Sequence, residues 1–224
     1  MKKLIQGIME FRKNVRADYR EKFAKLALGQ DPDALLISCS DSRVAVNVFA
    51  STEPGDLFVV RNPGNIIAPC GQDGRSVNDD AEAAAIEFAT LALNVADVIV
   101  CGHSECGAMR MLLGERQDLK APHLRDWLKN SEKALQQYQR GSRMKGNLAP
   151  HNHLSQLNVL RQLDNLRTYP IVWERLKAGR LRLHAWWFDI AQAEVLTYDE
   201  REGQFVVIDE AEADRHLTGI DGKV

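Results

Sequence analysis

No stretch of these 224 residues approaches the roughly 20 consecutive apolar positions that a membrane-spanning helix requires, so a membrane is not an expected partner. The start, Met1-Lys2-Lys3-Leu4-Ile5-Gln6-Gly7, also lacks the sustained apolar core of a secretion signal. Net charge is nearly absent: 29 basic residues against 31 acidic ones leave −2 at pH 7. Without a basic field, nucleic acid is not an expected partner either. The four cysteines are too few and too unevenly spaced for a disulfide framework in a chain this long. A soluble, cytoplasmic protein with reduced thiols is the expectation, and in that setting metal binding or catalysis is a frequent use of cysteine. No internal repeat or low-complexity linker interrupts the chain.

What is present is enough apolar material, 45% of residues, to bury one core without covalent staples. We read one domain over 1–224, with a helical arm at 1–28, a core at 29–208 and a polar tail at 209–224. In the arm, Leu4, Ile5, Ile8, Phe11, Val15, Phe23, Leu26 and Leu28 recur at helical spacing broken near Asn14. Two amphipathic helices follow, with an apolar face that must cover the protein's own sheet or a partner subunit. Short apolar runs at 34–38, 56–60, 97–101, 181–190, 193–198 and 204–208 read as strands. Residues 79–93, with an acidic first turn and many alanines, read as a helix. Further helices are expected from Ser104 or Cys106 to about Leu113, over 121–140, through Leu154, Leu157, Leu160, Leu163 and Leu166, and over 170–178 with Gly179 as a C-cap. Strands alternating with helices give an α/β fold with a mostly parallel central sheet flanked by helices. The last fifteen residues are polar and expected to be loosely held.

Two short runs carry the chemistry. Cys39-Ser40-Asp41-Ser42-Arg43 follows the strand-like run 34–38, and His103-Ser104-Glu105-Cys106 follows the run at 97–101. Ligand sites in open parallel sheets form at the carboxyl ends of strands, so runs about sixty residues apart in sequence can converge there. Thiolate and imidazole are good zinc donors, and three of them leave a fourth tetrahedral position open. The interval between His103 and Cys106 would place both on one side of a helical turn. Asp41 can close such a site as a fourth ligand, or be held away from it by the planar fork of Arg43; the arginine favours the second arrangement. Cys101, inside a strand, and Cys70, in a loop, read as ordinary thiols.

These runs, together with Arg61-Asn62, Gly64-Asn65 and the longer stretch Cys101-Gly102-His103-Ser104-Glu105-Cys106-Gly107, closely resemble the β-class carbonic anhydrases from about residue 2 to about 208. The resemblance implies one Zn2+ per subunit on Cys39, His103 and Cys106, a catalytic dyad of Asp41 and Arg43, and reversible hydration of carbon dioxide by zinc-bound hydroxide. Asp41 would join the metal only if the site closes. The resemblance also implies that Gln30 binds substrate, often across a subunit interface. Phe58, Pro63 and Phe88 would line an apolar pocket, and the Gly107 amide would bind bicarbonate. The assembly implied is a homodimer or tetramer with the arm crossing to a neighbour. Some members have an inhibitory bicarbonate site of tryptophan, arginine and tyrosine; here Arg61 is kept but Leu36 and Phe188 stand at the other positions, so that site is not expected. Lys2, Lys3, Glu105, His123, His151 and His153 are expected on the solvated surface. Two other readings are a carbonyl sulfide or carbon disulfide hydrolase with the same site, and a non-enzymatic zinc-thiolate sensor of redox state or bicarbonate.

Overall fold

The computed structural model describes residues 1–114 and 120–221. Six strands form one sheet in the order β2-β1-β3-β4-β5-β6, comprising β1 (Ala34–Cys39), β2 (Leu57–Asn62), β3 (Asp97–His103), β4 (Arg182–Asp189), β5 (Glu194–Asp199) and β6 (Gln204–Val207). The four strands β2, β1, β3 and β4 run parallel, and β5 and β6 extend the sheet antiparallel. The sequences ALLISC and DVIVCGH are apolar almost throughout because a central parallel strand is covered on both faces. Every residue of β1 is buried, and in β3 all but Asp97. On one face, Leu35, Ile37, Val98, Val100 and Trp187 pack with Leu157, Val159 and Leu166. On the other, Ala34, Leu36 and Ile99 pack with Val44 and Val46. Parallel register sets Cys39 beside Asn62 and His103 beside Phe188, so both chemical runs emerge at the same end of the sheet.

The arm is helix α1 (Lys2–Glu10), a π-helical turn at Phe11–Val15 and helix α2 (Arg16–Leu26), the turn falling at the break expected near Asn14. No residue of these three segments is buried, and Leu4, Ile5, Ile8 and Met9 stand exposed. Helix α3 (Val46–Phe49) follows the Cys39 loop. Helix α4 (Asp80–Glu87) is capped by the Asp79 carboxylate, which accepts from the Ala81 and Glu82 amides, and continues as a π-helical turn to Ala92. The remaining helices are α5 (Gly107–Leu113), α6 (Pro122–Leu128), α7 (Glu132–Gln139), α8 (Pro150–Leu166), α9 (Pro170–Lys177) and α10 (Glu210–Asp221). Proline opens α6, α8 and α9, where its missing N–H costs nothing. Gly179, at φ +66°, ends α9 in the left-handed conformation expected of it. Among the described residues, no helix is long and apolar enough to cross a membrane.

The expected loose tail is instead helix α10. The Asp209 carboxylate caps it by accepting from the Glu212 amide at 2.8 Å, and Glu212 pairs with Arg215 and His216 within it. Residues 222–224 of that expectation lie outside the described residues.

Helix α8 is enclosed on nearly all sides, and it crosses β3 closely. A Cβ added to Gly102 would stand 2.5 Å from Val159 Cγ2 and 3.1 Å from Trp187 Cδ1. Gly102→Ala is therefore expected to cost about 1–3 kcal/mol by overpacking, a fall in Tm of roughly 2–12 °C. Adding Val159→Ala should recover most of it in the same calorimetric scan. An unchanged Tm in the single variant would mean that α8 can withdraw without cost.

Candidate metal centre

Cys39 is the last residue of β1, and beyond it the chain turns sharply. The Ser40 amide donates to the Asn62 carbonyl at 2.9 Å, continuing the ladder for one bond, and the Val44 amide closes a turn on the Asp41 carbonyl at 3.0 Å. Arg61, one residue before the end of β2, reaches across this turn. Its Nε and Nη2 donate to the Cys39 carbonyl at 3.1 and 2.9 Å, and Nη2 also to the Asp41 carbonyl at 2.8 Å. This work of Arg61 is a role that the sequence did not disclose: the arginine stood out as part of the family-like Arg61-Asn62 run and as the surviving member of an inhibitory site. Its partners in that pattern are otherwise engaged, Leu36 in the core and Phe188 stacked on Phe49 with ring centroids 4.6 Å apart.

The second run is built differently from expectation. His103 is the last residue of β3 rather than part of a helix, and Cys106 is the N-cap of α5. The two converge because Glu105 takes a left-handed conformation, φ +59°, which folds the turn back on itself. That region costs a non-glycine residue on the order of 1 kcal/mol. Glu105 is tied down by Arg110, and its Oε1 lies 3.0 Å from His151 Nε2. His151 and His153 are thus not on the solvated surface: both sit in the first turn of the enclosed helix α8, His151 with 12% of its side chain exposed and His153 buried.

Cys39, His103 and Cys106 are all buried, with their donor atoms within 4.8 Å of one another. His103 Nδ1 lies 2.7 Å from the Ser104 carbonyl. A carbonyl only accepts, so Nδ1 carries the proton and Nε2 is bare. That nitrogen is fully buried and has no hydrogen-bond partner among the described residues. An unpartnered buried polar atom costs about 1–3 kcal/mol. A cation removes the cost, and two sulfurs with one imidazole nitrogen suit tetrahedral zinc, whose donors at about 2.0–2.3 Å stand about 3.5–4 Å apart. The residues present therefore fit a metal ion.

Electrostatics agree with the geometry. A hydrogen bond with Cys106 lowers the Cys39 thiol most, burial opposes it, and the Gly64 N–H, 3.3 Å from Sγ, adds to the lowering. Cys106, bonded to that thiolate and buried, is pushed up. The pair thus holds a shared proton that a metal would displace. Asp41 lies beside the cluster, its Oδ2 4.0 Å from His103 Nε2. Oδ1 accepts from the Arg43 amide at 3.0 Å and from Nε at 2.9 Å, and Oδ2 from Nη2 at 2.7 Å. Nη2 also donates to the Glu105 carbonyl at 3.1 Å, anchoring the arginine to the second run. The Arg43 guanidinium holds the Asp41 carboxyl well below the usual carboxylate range, burial opposing.

The other residues expected at the site divide into two groups. Pro63 precedes Gly64, and Gly107 follows Cys106 with open space where a Cβ would stand, so both adjoin the cluster. Phe58 and Phe88 pack together, ring centroids 5.8 Å apart, but Phe58 pairs with Leu35, four residues before the Asn62–Cys39 pair. That is about 13 Å along the strand. Gln30 is exposed before β1, a strand that itself spans about 17 Å. Within one chain, Gln30, Phe58 and Phe88 are at the wrong end of the sheet to touch the cluster. Cys70 and Cys101 stand outside it too, burial pushing the Cys101 thiol up to about 12.

Comparison with known proteins gives one answer. The carbonic anhydrase family profile matches residues 34–195. A carbonic anhydrase from Synechocystis is 43% identical over 205 residues, 89% of this chain and 71% of that protein. One from Pseudomonas aeruginosa is 35% identical over 232 residues, 100% of this chain and 99% of that protein. Among solved structures, the β-carbonic anhydrase CcaA superposes with a TM-score of 0.83 at 41% identity, covering 92% of this chain and 98% of that one. A tetrameric β-carbonic anhydrase from Sordaria macrospora gives a TM-score of 0.75 at 27% identity over 88% and 95%. With the matched profile running from the first residue of β1 into β5, and so through both convergent runs, the chain belongs to the β-carbonic anhydrase family.

Proposed function

We propose that this protein hydrates carbon dioxide reversibly to bicarbonate and a proton, using one zinc ion per subunit held by Cys39, His103 and Cys106. The observation that carries the reading is the bare, buried Nε2 of His103 facing two thiols, beside a carboxylate pinned by arginine. When bound, zinc supplies Lewis acidity, which in three-histidine carbonic anhydrases lowers the pKa of water from about 15.7 to about 7. The protein's own groups do the rest. Ser104, through its carbonyl, fixes the His103 tautomer and ring. Asp41, ionised and held at both oxygens by Arg43, accepts a hydrogen bond from the attacking oxygen and aims its lone pair at the carbon. The same hold keeps Asp41 from becoming a ligand. Pro63 gives an apolar wall suited to a substrate without charge or donors, and the Gly107 N–H, at the start of α5, faces the bicarbonate that forms.

The missing part of the pocket comes from a second copy. Gln30, Phe58 and Phe88 lie too far from their own cluster, while Phe88 and the apolar residues of α1 are exposed. A homodimer, alone or doubled into a tetramer, would bring one chain's Gln30 and aromatic pair to its neighbour's metal. Mixing Cys39→Ser chains with Gln30→Ala chains tests this. Each mixed dimer then regains one intact site, and activity should rise well above the sum of the separate variants. No rise on refolding the mixture would place Gln30 with its own metal, or nowhere near one.

The reaction itself is tested by stopped-flow hydration of carbon dioxide with the zinc-loaded protein, carbonyl sulfide alongside. Preference for carbonyl sulfide would reassign the substrate, and metal binding without turnover would leave a sensor. We place the protein in the cytoplasm, where reducing conditions keep Cys39 and Cys106 available as thiols.

A further inference from the structure

Helix α8 carries a buried polar stripe, Asn152, Ser155, Asn158, Gln162 and Asn165, on one face of the helix. Buried amides and hydroxyls are tolerated when they are hydrogen-bonded, and each of these bonds the backbone of a segment that shapes the metal centre. Asn152 Oδ1 accepts from the Glu105 amide at 2.8 Å, and Ser155 Oγ donates to the His103 carbonyl at 2.8 Å. Asn158 Nδ2 donates to the Gly64 carbonyl at 3.1 Å. Gln162 Oε1 accepts from the Ile67 amide at 2.8 Å, and Asn165 Nδ2 donates to the Ile67 carbonyl at 2.7 Å. The last three of the four amides are linked among themselves, Gln162 donating to Asn158 at 2.7 Å and Asn165 to Gln162 at 3.0 Å. One half of the helix thus grips the His103–Cys106 turn, and the other grips the 64–67 loop.

Gly64 is where this second grip meets the chemistry. Its N–H donates to Cys39 Sγ while its carbonyl takes the Asn158 bond, so Asn158 and the Cys39 sulfur hold opposite ends of the same residue. Its φ is +85°, and a Cβ added there would stand only 2.9 Å from Ala108 Cβ, so any other residue would be both strained and crowded. An N–H bonded to sulfur draws charge from the thiolate and steadies its direction.

We propose that Asn158 is a positioning residue for the metal centre: by fixing Gly64 it keeps that N–H on Cys39 and so sets the donor strength and aim of this sulfur. The inference rests on Cys39 being a metal ligand. Nothing in its neighbours in sequence marks Asn158 out; the hydrogen-bond path does.

Asn158→Leu removes the donor while keeping a side chain branched at Cγ, and Asn165→Leu on the same helix, with the same gain in bulk, is the control for a purely structural loss. Both are expected to lower Tm. Only Asn158→Leu should weaken zinc binding, by about 10–100-fold in chelator competition, and shift the thiolate-to-metal charge-transfer band of the cobalt(II)-substituted protein. If Asn158→Leu does not fold, Asn158→Ser, which retains a hydroxyl but falls short of the Gly64 carbonyl, is measured in the same way. Affinity and band matching those of Asn165→Leu would overturn the proposal. The underlying ligand assignment fails separately: a cobalt band that persists unchanged in Cys39→Ser would remove Cys39 from the metal, and the proposal with it.

Discussion

Cys39→Ser is expected to lose tightly bound zinc and at least about a thousandfold in the rate of carbon dioxide hydration, since water near its own pKa of about 15.7 is a negligible nucleophile at neutral pH. The expectation rests on how little else the site offers. Removing one sulfur leaves His103 Nε2, buried and without a partner, facing Cys106 alone. A serine hydroxyl is a weak donor for zinc and does not share a proton with Cys106 as the thiol does. Metal content after dialysis and stopped-flow hydration give the two readouts. Full activity in the variant would remove Cys39 from the metal centre.

Asp41→Asn should retain zinc while losing about 10²–10⁴-fold in kcat/KM, the range over which a positioned acid–base group acts. The change is nearly isosteric. Yet an amide can offer only one oxygen to Arg43, where the carboxylate now offers two, and it turns an N–H toward a guanidinium that has nothing to accept it. The oxygen that receives a proton from the nucleophile is then either misplaced or engaged. Zinc lost together with activity would show that Asp41 is a ligand after all, the closed arrangement. Zinc and activity both retained would make the pair with Arg43 purely structural.

The two strands that carry the ligands were legible because burial on both faces forces an unbroken apolar run, a pattern that few other environments produce. The residues at their ends followed from that reading. The turn between His103 and Cys106 did not, because a glutamate in the left-handed region has no local signature. Glu105 is held there by Asn152, Arg110 and His151, which lie elsewhere in sequence or on other elements. The same limit hid the polar face of α8. Leu154, Leu157, Leu160, Leu163 and Leu166 marked the helix as core, while the asparagines and glutamines between them carried no assignment, since nothing local distinguishes an amide bonded to water from one bonded to a loop about a hundred residues away. Helix α10 was missed because its sequence is largely polar, while the Asp209 cap and the pairing of Glu212 with Arg215 that accompany it show only in the fold.

Strand register separates the ligands from Phe58 and Phe88 by most of the depth of the sheet. Where two alleles are expressed together, the proposed dimer would give this separation a genetic consequence. A chain with a defective metal cluster would spoil its own site and still serve its neighbour. A chain altered at Phe88 would keep a sound cluster but impair the one next to it, so its defect would be felt by chains whose own sequence is intact.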